Sequence, residues 1–399
     1  MIRKVLLAMS FAGALVVVAE LALQKLAPPP NNATATIHAP KARHYGWAWP
    51  PEREFVATDP DTGERFRVRT NREGWKDVDH QREKPPGVVR VLVLGDSHTW
   101  GFVPLEQLYT RRLEALLAER GLSQVEVITL AVGGWGTDQQ LEALTVEGLS
   151  YDPDIVIYQF CGNDVLNNVS PNGFISEDRM EWYKTFRYEL EGDRLRRVEL
   201  TPRSVIPLED RLRNAVNRTA LGYYAGNVWT RLRRGGARQS RDYAKAPPLP
   251  GQSPLLDAGD PFFLYGSDKG SEALQEAWRL LEALLVEMKK RTQAAGAELY
   301  VFSEEGEAGK REHNLATRRL RTDKHGDFVM RDSLRLDVRW SAPLDRLREI
   351  CGRAGIPLIE PRRTYTRFRV DPHPNRQGNE AMAHDIADAL MPRLSAIAR

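Results

Sequence analysis

The stretch Val91-Leu92-Val93-Leu94-Gly95-Asp96-Ser97-His98-Thr99-Trp100-Gly101 decides how this chain folds. The run from Val88 to Leu94 fits a buried strand. It stops at a glycine, passes a small polar trio, and runs into an amphipathic segment. The pattern is strand, turn and helix, with a serine hydroxyl at the carboxyl end of a strand. Open α/β sheets collect their ligands outside those strand ends. The helix that follows offers free N–H groups to an anion. Two readings of the trio stand at this point. Ser97 is a nucleophile, or Asp96 and Ser97 only cap the next helix.

Outward from this stretch, strand and helix signals alternate. Strands are predicted at 88–94, 125–132, 154–160, 298–302 and 356–360, and helices at 105–117, 139–149, 271–295, 344–354 and 378–397. The clearest helix, 271–295, carries Leu274, Trp278, Leu281, Leu285 and Met288 on one face. Apolar strands alternating with helices predict a parallel sheet covered on both faces.

The 399 residues exceed one average domain, but a single elaborated α/β domain reaches this size. With 42% apolar and 28% charged residues, a globular core is expected. A net charge of +3 and the absence of a binding signature give no case for nucleic acid. Cys161 and Cys351 are too few for a disulfide framework or a zinc site, and read best as two buried small residues.

Residues 1–27 read as a membrane-targeting segment, with Arg3 and Lys4 ahead of an apolar run from Val5 to Ala19. Cleavage signals near Ala27 are poor, because Pro28-Pro29-Pro30 follows. An uncleaved signal-anchor is therefore expected, basic end inside and the rest of the chain outside the cytoplasm, periplasmic or on the cell surface. Glu20 must then lie near an interface or face a partner. Residues 28–85 form a Pro/Ala/Thr/Asn tether followed by a small β extension. The main domain spans 86–396 and carries two insertions, about 167–262 and 304–340. The first contains a hairpin pattern near Phe186–Leu200, an amphipathic stretch from Leu212 to Leu232 and many arginines. The second is highly charged and loop-like.

A nucleophilic serine needs a base. The last strand-end loop supplies one in Val370-Asp371-Pro372-His373-Pro374-Asn375. In an extended segment, residues i and i+2 point to one side. Asp371 could then fix the tautomer of His373 while the other ring nitrogen faces Ser97, the arrangement of acyl transfer. The alternative is a Pro-rich turn capping the last helix. Acyl transfer also needs donors for an oxyanion. The second strand ends in Gly133-Gly134-Trp135-Gly136, and the third in Cys161-Gly162-Asn163-Asp164. Glycine N–H groups, the Asn163 amide and the Ser97 N–H are the candidate donors. Trp100 and Trp135 either line the pocket or pack, and His98 is expected to point away on its helix. No metal-ligand spacing, dinucleotide fingerprint or P-loop is present, so no cofactor is expected.

Read together, these four blocks resemble those of the SGNH/GDSL hydrolase superfamily: Gly95-Asp96-Ser97, Gly134, Gly162-Asn163-Asp164 and Asp371/His373-Pro-Asn. The resemblance covers roughly residues 86–166 and 263–396. It implies a flavodoxin-like three-layer α/β/α sandwich with a five-stranded parallel sheet. It also implies Ser97 as nucleophile, His373 as base, and an oxyanion hole of Ser97, Gly134 and Asn163. The family commonly places its aspartate three residues before the histidine, where this chain has Val370. Asp371, two before, is the triad choice, and a Ser–His dyad is the alternative. The function implied is a membrane-anchored serine esterase acting on an O-acyl or O-acetyl ester of a carbohydrate or lipid. O-acyl transfer to an envelope polysaccharide, and a silent carbohydrate-binding protein, are the other readings.

Overall fold

The computed structural model describes residues 2–26, 41–169, 184–192, 194–200, 219–222, 224–225, 272–304, 321–322, 328–331, 334–337, 341–369 and 371–398, with backbone only for 2–10, 12, 272, 273 and 321–337. In chain order the elements are α1 (Ile2–Leu26), α2 (Ala42–Tyr45), β1 (Glu54–Thr58), β2 (Arg65–Arg69), β3 (Val89–Gly95), α3 (Ser97–Trp100), α4 (Tyr109–Glu119), β4 (Val125–Ala131), α5 (Thr137–Val146), β5 (Ile155–Phe160), α6 (Asn163–Val169), β6 (Phe186–Glu191), β7 (Arg194–Glu199), α7 (Glu272–Ala294), β8 (Glu298–Ser303), β9 (Arg321–Thr322), β10 (Phe328–Arg331), β11 (Leu334–Asp337), α8 (Ala342–Ala354), β12 (Leu358–Ile359) and α9 (Arg376–Ile397).

The central sheet has the order β12-β8-β5-β3-β4, every pair parallel. This is the flavodoxin-like order, in which the strand sequence reverses at the centre. The reversal falls between β3 and β5, so the crevice opens where Ser97 and Asn163 leave the sheet. Residues of β3 alternate between two cores. Leu92 and Leu94 pack with α5, α7 and α8, while Val89, Val91 and Val93 pack with α4 and α9. That two-residue period on a strand buried throughout is what a sheet covered on both faces requires. The three-layer sandwich is the expected one.

Several boundaries differ from the sequence expectation. The helix expected at 105–117 opens with a 3₁₀ turn, Leu105–Gln107, and its α part starts at Tyr109 because Leu108 is extended. The helix expected at 139–149 ends at Val146, and a 3₁₀ turn, Gly148–Tyr151, follows. The last strand shrinks to two residues: Pro357 lends its carbonyl to Val301 N–H but has no N–H of its own. The second insertion is not loop throughout. Its described parts form an antiparallel sheet, β11-β10-β9. The first insertion contains the expected hairpin, β6 and β7. Of its amphipathic stretch (212–232) only 219–222 and 224–225 are among the described residues; the arginines of the cluster lie outside them, as do residues 28–40 of the tether.

The N-terminal extension is a hairpin, β1 and β2, followed by a connection that clasps the main domain. Trp47 Nε1 donates to the Gly133 carbonyl (2.9 Å), and Trp75 Nε1 to Glu147 (2.9 Å). Among the described residues no helix is long and apolar enough to cross a membrane, the side chains of 2–10 lying outside them. The Glu20 carboxylate on α1 accepts the backbone N–H groups of Ala220 (2.8 Å) and Leu221 (2.9 Å) in the first insertion.

Candidate active site

Ser97 opens α3, a single helical turn at the end of β3. The turn is tight because Thr99 folds back over Gly95. A Cβ on Gly95 would lie 2.0 Å from Thr99 Oγ1, so only glycine fits. Thr99 is held in turn by Tyr109 Oη (2.8 Å) and Gln159 Oε1 (3.0 Å). Asp96 is the N-cap, accepting His98 N–H at Oδ1 (2.8 Å). Its Oδ2 accepts from the Asn163 amide (2.9 Å). The capping reading is therefore right for Asp96, and Ser97 is left to do something else.

The Ser97 hydroxyl lies 2.8 Å from His373 Nε2. His373 Nδ1 lies 2.5 Å from Asp371 Oδ1, which also accepts the His373 backbone N–H (2.9 Å). Asp371 and His373 thus meet through a tight Asx-type turn around Pro372, not along an extended strand as the sequence reading supposed. A two-residue spacing suffices because one carboxylate oxygen receives both donors. Burial, and next the neighbouring His98, hold His373 below the usual histidine range. Burial works against ionisation of Asp371, yet the bond and charge of His373 keep its carboxyl below the usual aspartate range. The pair is an ionised carboxylate beside a neutral imidazole whose Nδ1–H is pinned, leaving the Nε2 lone pair toward Ser97. The acid limb of kcat/KM should therefore lie below the ordinary histidine value of about 6.5. A pH–rate profile on a neutral ester checks this.

The predicted donors come from two loops. Asn163 opens α6, and one amide hydrogen is committed to Asp96, leaving the second for a ligand. The loop before it is shaped by buried Asp164, which accepts Cys161 N–H (2.9 Å) and Tyr158 Oη–H (2.9 Å). Burial pushes the Asp164 carboxyl well above its usual range, and nearby Asp96 adds to this. Gly134 has a φ of 78°, the left-handed region that suits glycine. The bond from Trp47 to Gly133 O fixes the 133–134 peptide plane, and with it the direction of the Gly134 N–H, which lies opposite that carbonyl. Asn167 secures the next peptide through Gly134 O (3.0 Å).

Two expectations about neighbours change. His98 does not point away: its ring centroid lies 4.4 Å from that of His373. A four-residue helix ending at Gly101 has no outer face to carry it off. Trp100 and Trp135 pack: Trp100 stacks on Trp49 (5.1 Å, 10°), and Trp135 lies against Tyr45 and Trp75. Both cysteines are buried, and no disulfide joins them. Phe102, Glu304 and Arg367 were not singled out from the sequence. Glu304 follows directly on β8, so its position at a fourth strand end was the available signal. Among the described residues, His98, Cys161 and Glu304 are the group with metal-ligating atoms close together, within 4.8 Å of one another. Arg367 shares the Glu304 carboxylate (3.4 Å), which disfavours a cation there.

A serine, an imidazole and a carboxylate in line at the switch point of a parallel sheet is an arrangement suited to acyl transfer. The chain belongs to the GDSL-like lipase/acylhydrolase family, whose model matches residues 93–381. It is an ester-cleaving hydrolase. Similar solved structures include the acetyl xylan esterase AlAXEase (14% identity, 76% of this chain and 100% of that one, TM-score 0.36). Another is a lipase/acylhydrolase from Enterococcus faecalis (13% identity, 77% and 97%, TM-score 0.37). At such low identities and TM-scores the likeness says nothing about substrate. No curated protein matches the chain.

Proposed function

We propose that the chain is a serine esterase working through an acyl-enzyme on Ser97. Ser97 Oγ attacks the ester carbonyl carbon while His373 Nε2 takes its proton. The tetrahedral oxyanion is held by the N–H groups of Ser97 and Gly134 and the free amide hydrogen of Asn163. Collapse expels the alcohol, which leaves with the proton from His373. Water, deprotonated by the same nitrogen, then releases the acid and restores Ser97. Asp371 orients the imidazole and stabilises its protonated form, so a triad is preferred to a dyad. The observation that carries this reading is the single line Ser97 Oγ, His373 Nε2, Nδ1 and Asp371 Oδ1.

Two substitutions probe the parts. Asp371→Asn is expected to lower kcat by about 10²–10⁴-fold, because an amide can hold the wrong tautomer and cannot balance the imidazolium. A loss under threefold, measured on a short-chain aryl ester, would make the site a dyad. Asn163→Ala is expected to cost about 10²–10³-fold in kcat with little change in KM. A selective rise in KM would show that Asn163 binds substrate instead.

The substrate read here is an O-acyl or O-acetyl ester of a carbohydrate or lipid. Release of acetate from acetylated sugars and short-chain aryl esters tests it, and no release would overturn it. If product forms faster with a free sugar present, and a sugar ester accumulates, the acceptor is a polysaccharide hydroxyl and the chain is a transferase. The anchor is part of the same proposal. At about 1.5 Å per residue, the 25 residues of α1 would reach across a hydrocarbon core of about 30 Å. Leu15, Val16, Val17, Val18 and Leu21 are exposed along it. The chain is read as tethered at the membrane by this segment, with its catalytic domain outside the cytoplasm. A mature N-terminus near residue 28, read by intact mass from membrane fractions, would contradict it.

A further inference from the structure

Beside the His373–Asp371 pair lies a second acid–histidine pair that the mechanism above does not use. Glu304 is fully buried at the end of β8. Its Oε2 accepts from His98 Nδ1 (2.8 Å) and from Arg367 Nη2 (3.4 Å), and its Oε1 from Cys161 Sγ–H (3.2 Å). Each partner leads to the site. The His98 ring packs on the His373 ring, 4.4 Å between centroids and inclined 37°. Arg367 also donates to the carbonyl of Pro372, in the turn that joins Asp371 to His373. Cys161 begins the loop that carries Asn163. The Phe102 ring adds a second wall on His373, at 4.5 Å.

We propose that Glu304, acting through His98 and Arg367, is the positioning residue of this site, confining the His373 imidazole so that Nδ1 stays on Asp371 and Nε2 on Ser97. This rests on the reading of Ser97 and His373 as nucleophile and base. Asp371 by itself pins one ring nitrogen, and the ring can still rock about that bond. Rings packed against it remove the rocking, and a base displaced by about 1 Å can cost about 10²-fold. His98 also adds a titratable group. The charged or titratable groups acting on His373 are Asp371 in its own turn, Asp96 after β3 and His98 on α3; Glu304 after β8 is bonded to His98, to Cys161 after β5 and to Arg367 in the loop before α9. His98 is among the causes that hold His373 below the usual histidine range, so removing it raises the pH at which His373 becomes protonated. The acid limb of kcat/KM then moves to higher pH.

The test compares His98→Ala, His98→Phe and Glu304→Gln on a short-chain aryl ester across pH, with melting curves for each. His98→Ala is expected to lower kcat about 10–100-fold with KM within about threefold. His98→Phe, which keeps a packed ring, should recover kcat to within about threefold of wild type. Both should move the acid limb upward. Glu304→Gln, which removes the negative charge shared by His98 and Arg367, is expected to lower kcat about tenfold. Equal rates for the alanine and phenylalanine variants, or an acid limb that stays in place, would overturn the proposal. If the alanine variant does not fold, an unmoved acid limb in His98→Phe overturns it alone. Fluorophosphonate labelling separates the two levels. Labelling of Ser97→Ala as strong as wild type sinks the nucleophile reading itself, whereas normal labelling chemistry with indifferent His98 variants sinks the positioning role only.

Discussion

Ser97→Ala is expected to lower kcat for ester hydrolysis by about 10⁴–10⁶-fold. The residue contributes a half-buried hydroxyl whose side-chain partner is His373, so its loss leaves the fold intact. KM should change little, because substrate is held by the donors and pocket walls, which remain. Residual turnover above the uncatalysed rate would come from the oxyanion donors and from binding. Circular dichroism and thermal melting should match wild type. A variant that retained more than about one hundredth of the activity would move the chemistry elsewhere.

His373→Gln should cost nearly as much, about 10⁴-fold or more, because the serine would have to attack without a base. Glutamine can still hydrogen-bond to Ser97 but has no basic nitrogen. The two losses should not add. Ser97→Ala combined with His373→Gln should be no slower than Ser97→Ala alone, since nucleophile and base act as one unit. Additive losses would indicate that the histidine serves a step in which the serine takes no part. His373 is held below the usual histidine range by burial and by His98, so wild type should keep its base neutral to mildly acidic pH. Activity should fall only below that range, with the Ser97–His373 pair and not with unfolding.

Much of this was legible beforehand. The parallel strands are buried on both faces, so they read as continuous apolar runs, and their order in the chain placed the four functional loops at one end. Ser97, Asp371 and His373 were named from residue type at those loops, and the structure brings them into line. What was not legible depends on the third dimension. His98 was expected on the outward side of a helix, but that helix is one turn long and Gly101 ends it at a φ of 64°. Glu304 looked like the first residue of a charged insertion. Its burial follows only from β8 lying next to β5 in the sheet, which carries the carboxylate to Cys161 and His98. Trp47 lies 86 residues from Gly133, and no local pattern connects an indole at the start of the β extension to that peptide plane.

The most direct measurement is peptide mapping of the protein after reaction with a fluorophosphonate probe, wild type beside Ser97→Ala. One probe adduct per chain is expected, on the peptide that contains Ser97, and none on the alanine variant. An adduct on another residue, or equal labelling of the two chains, would contradict a nucleophile at Ser97.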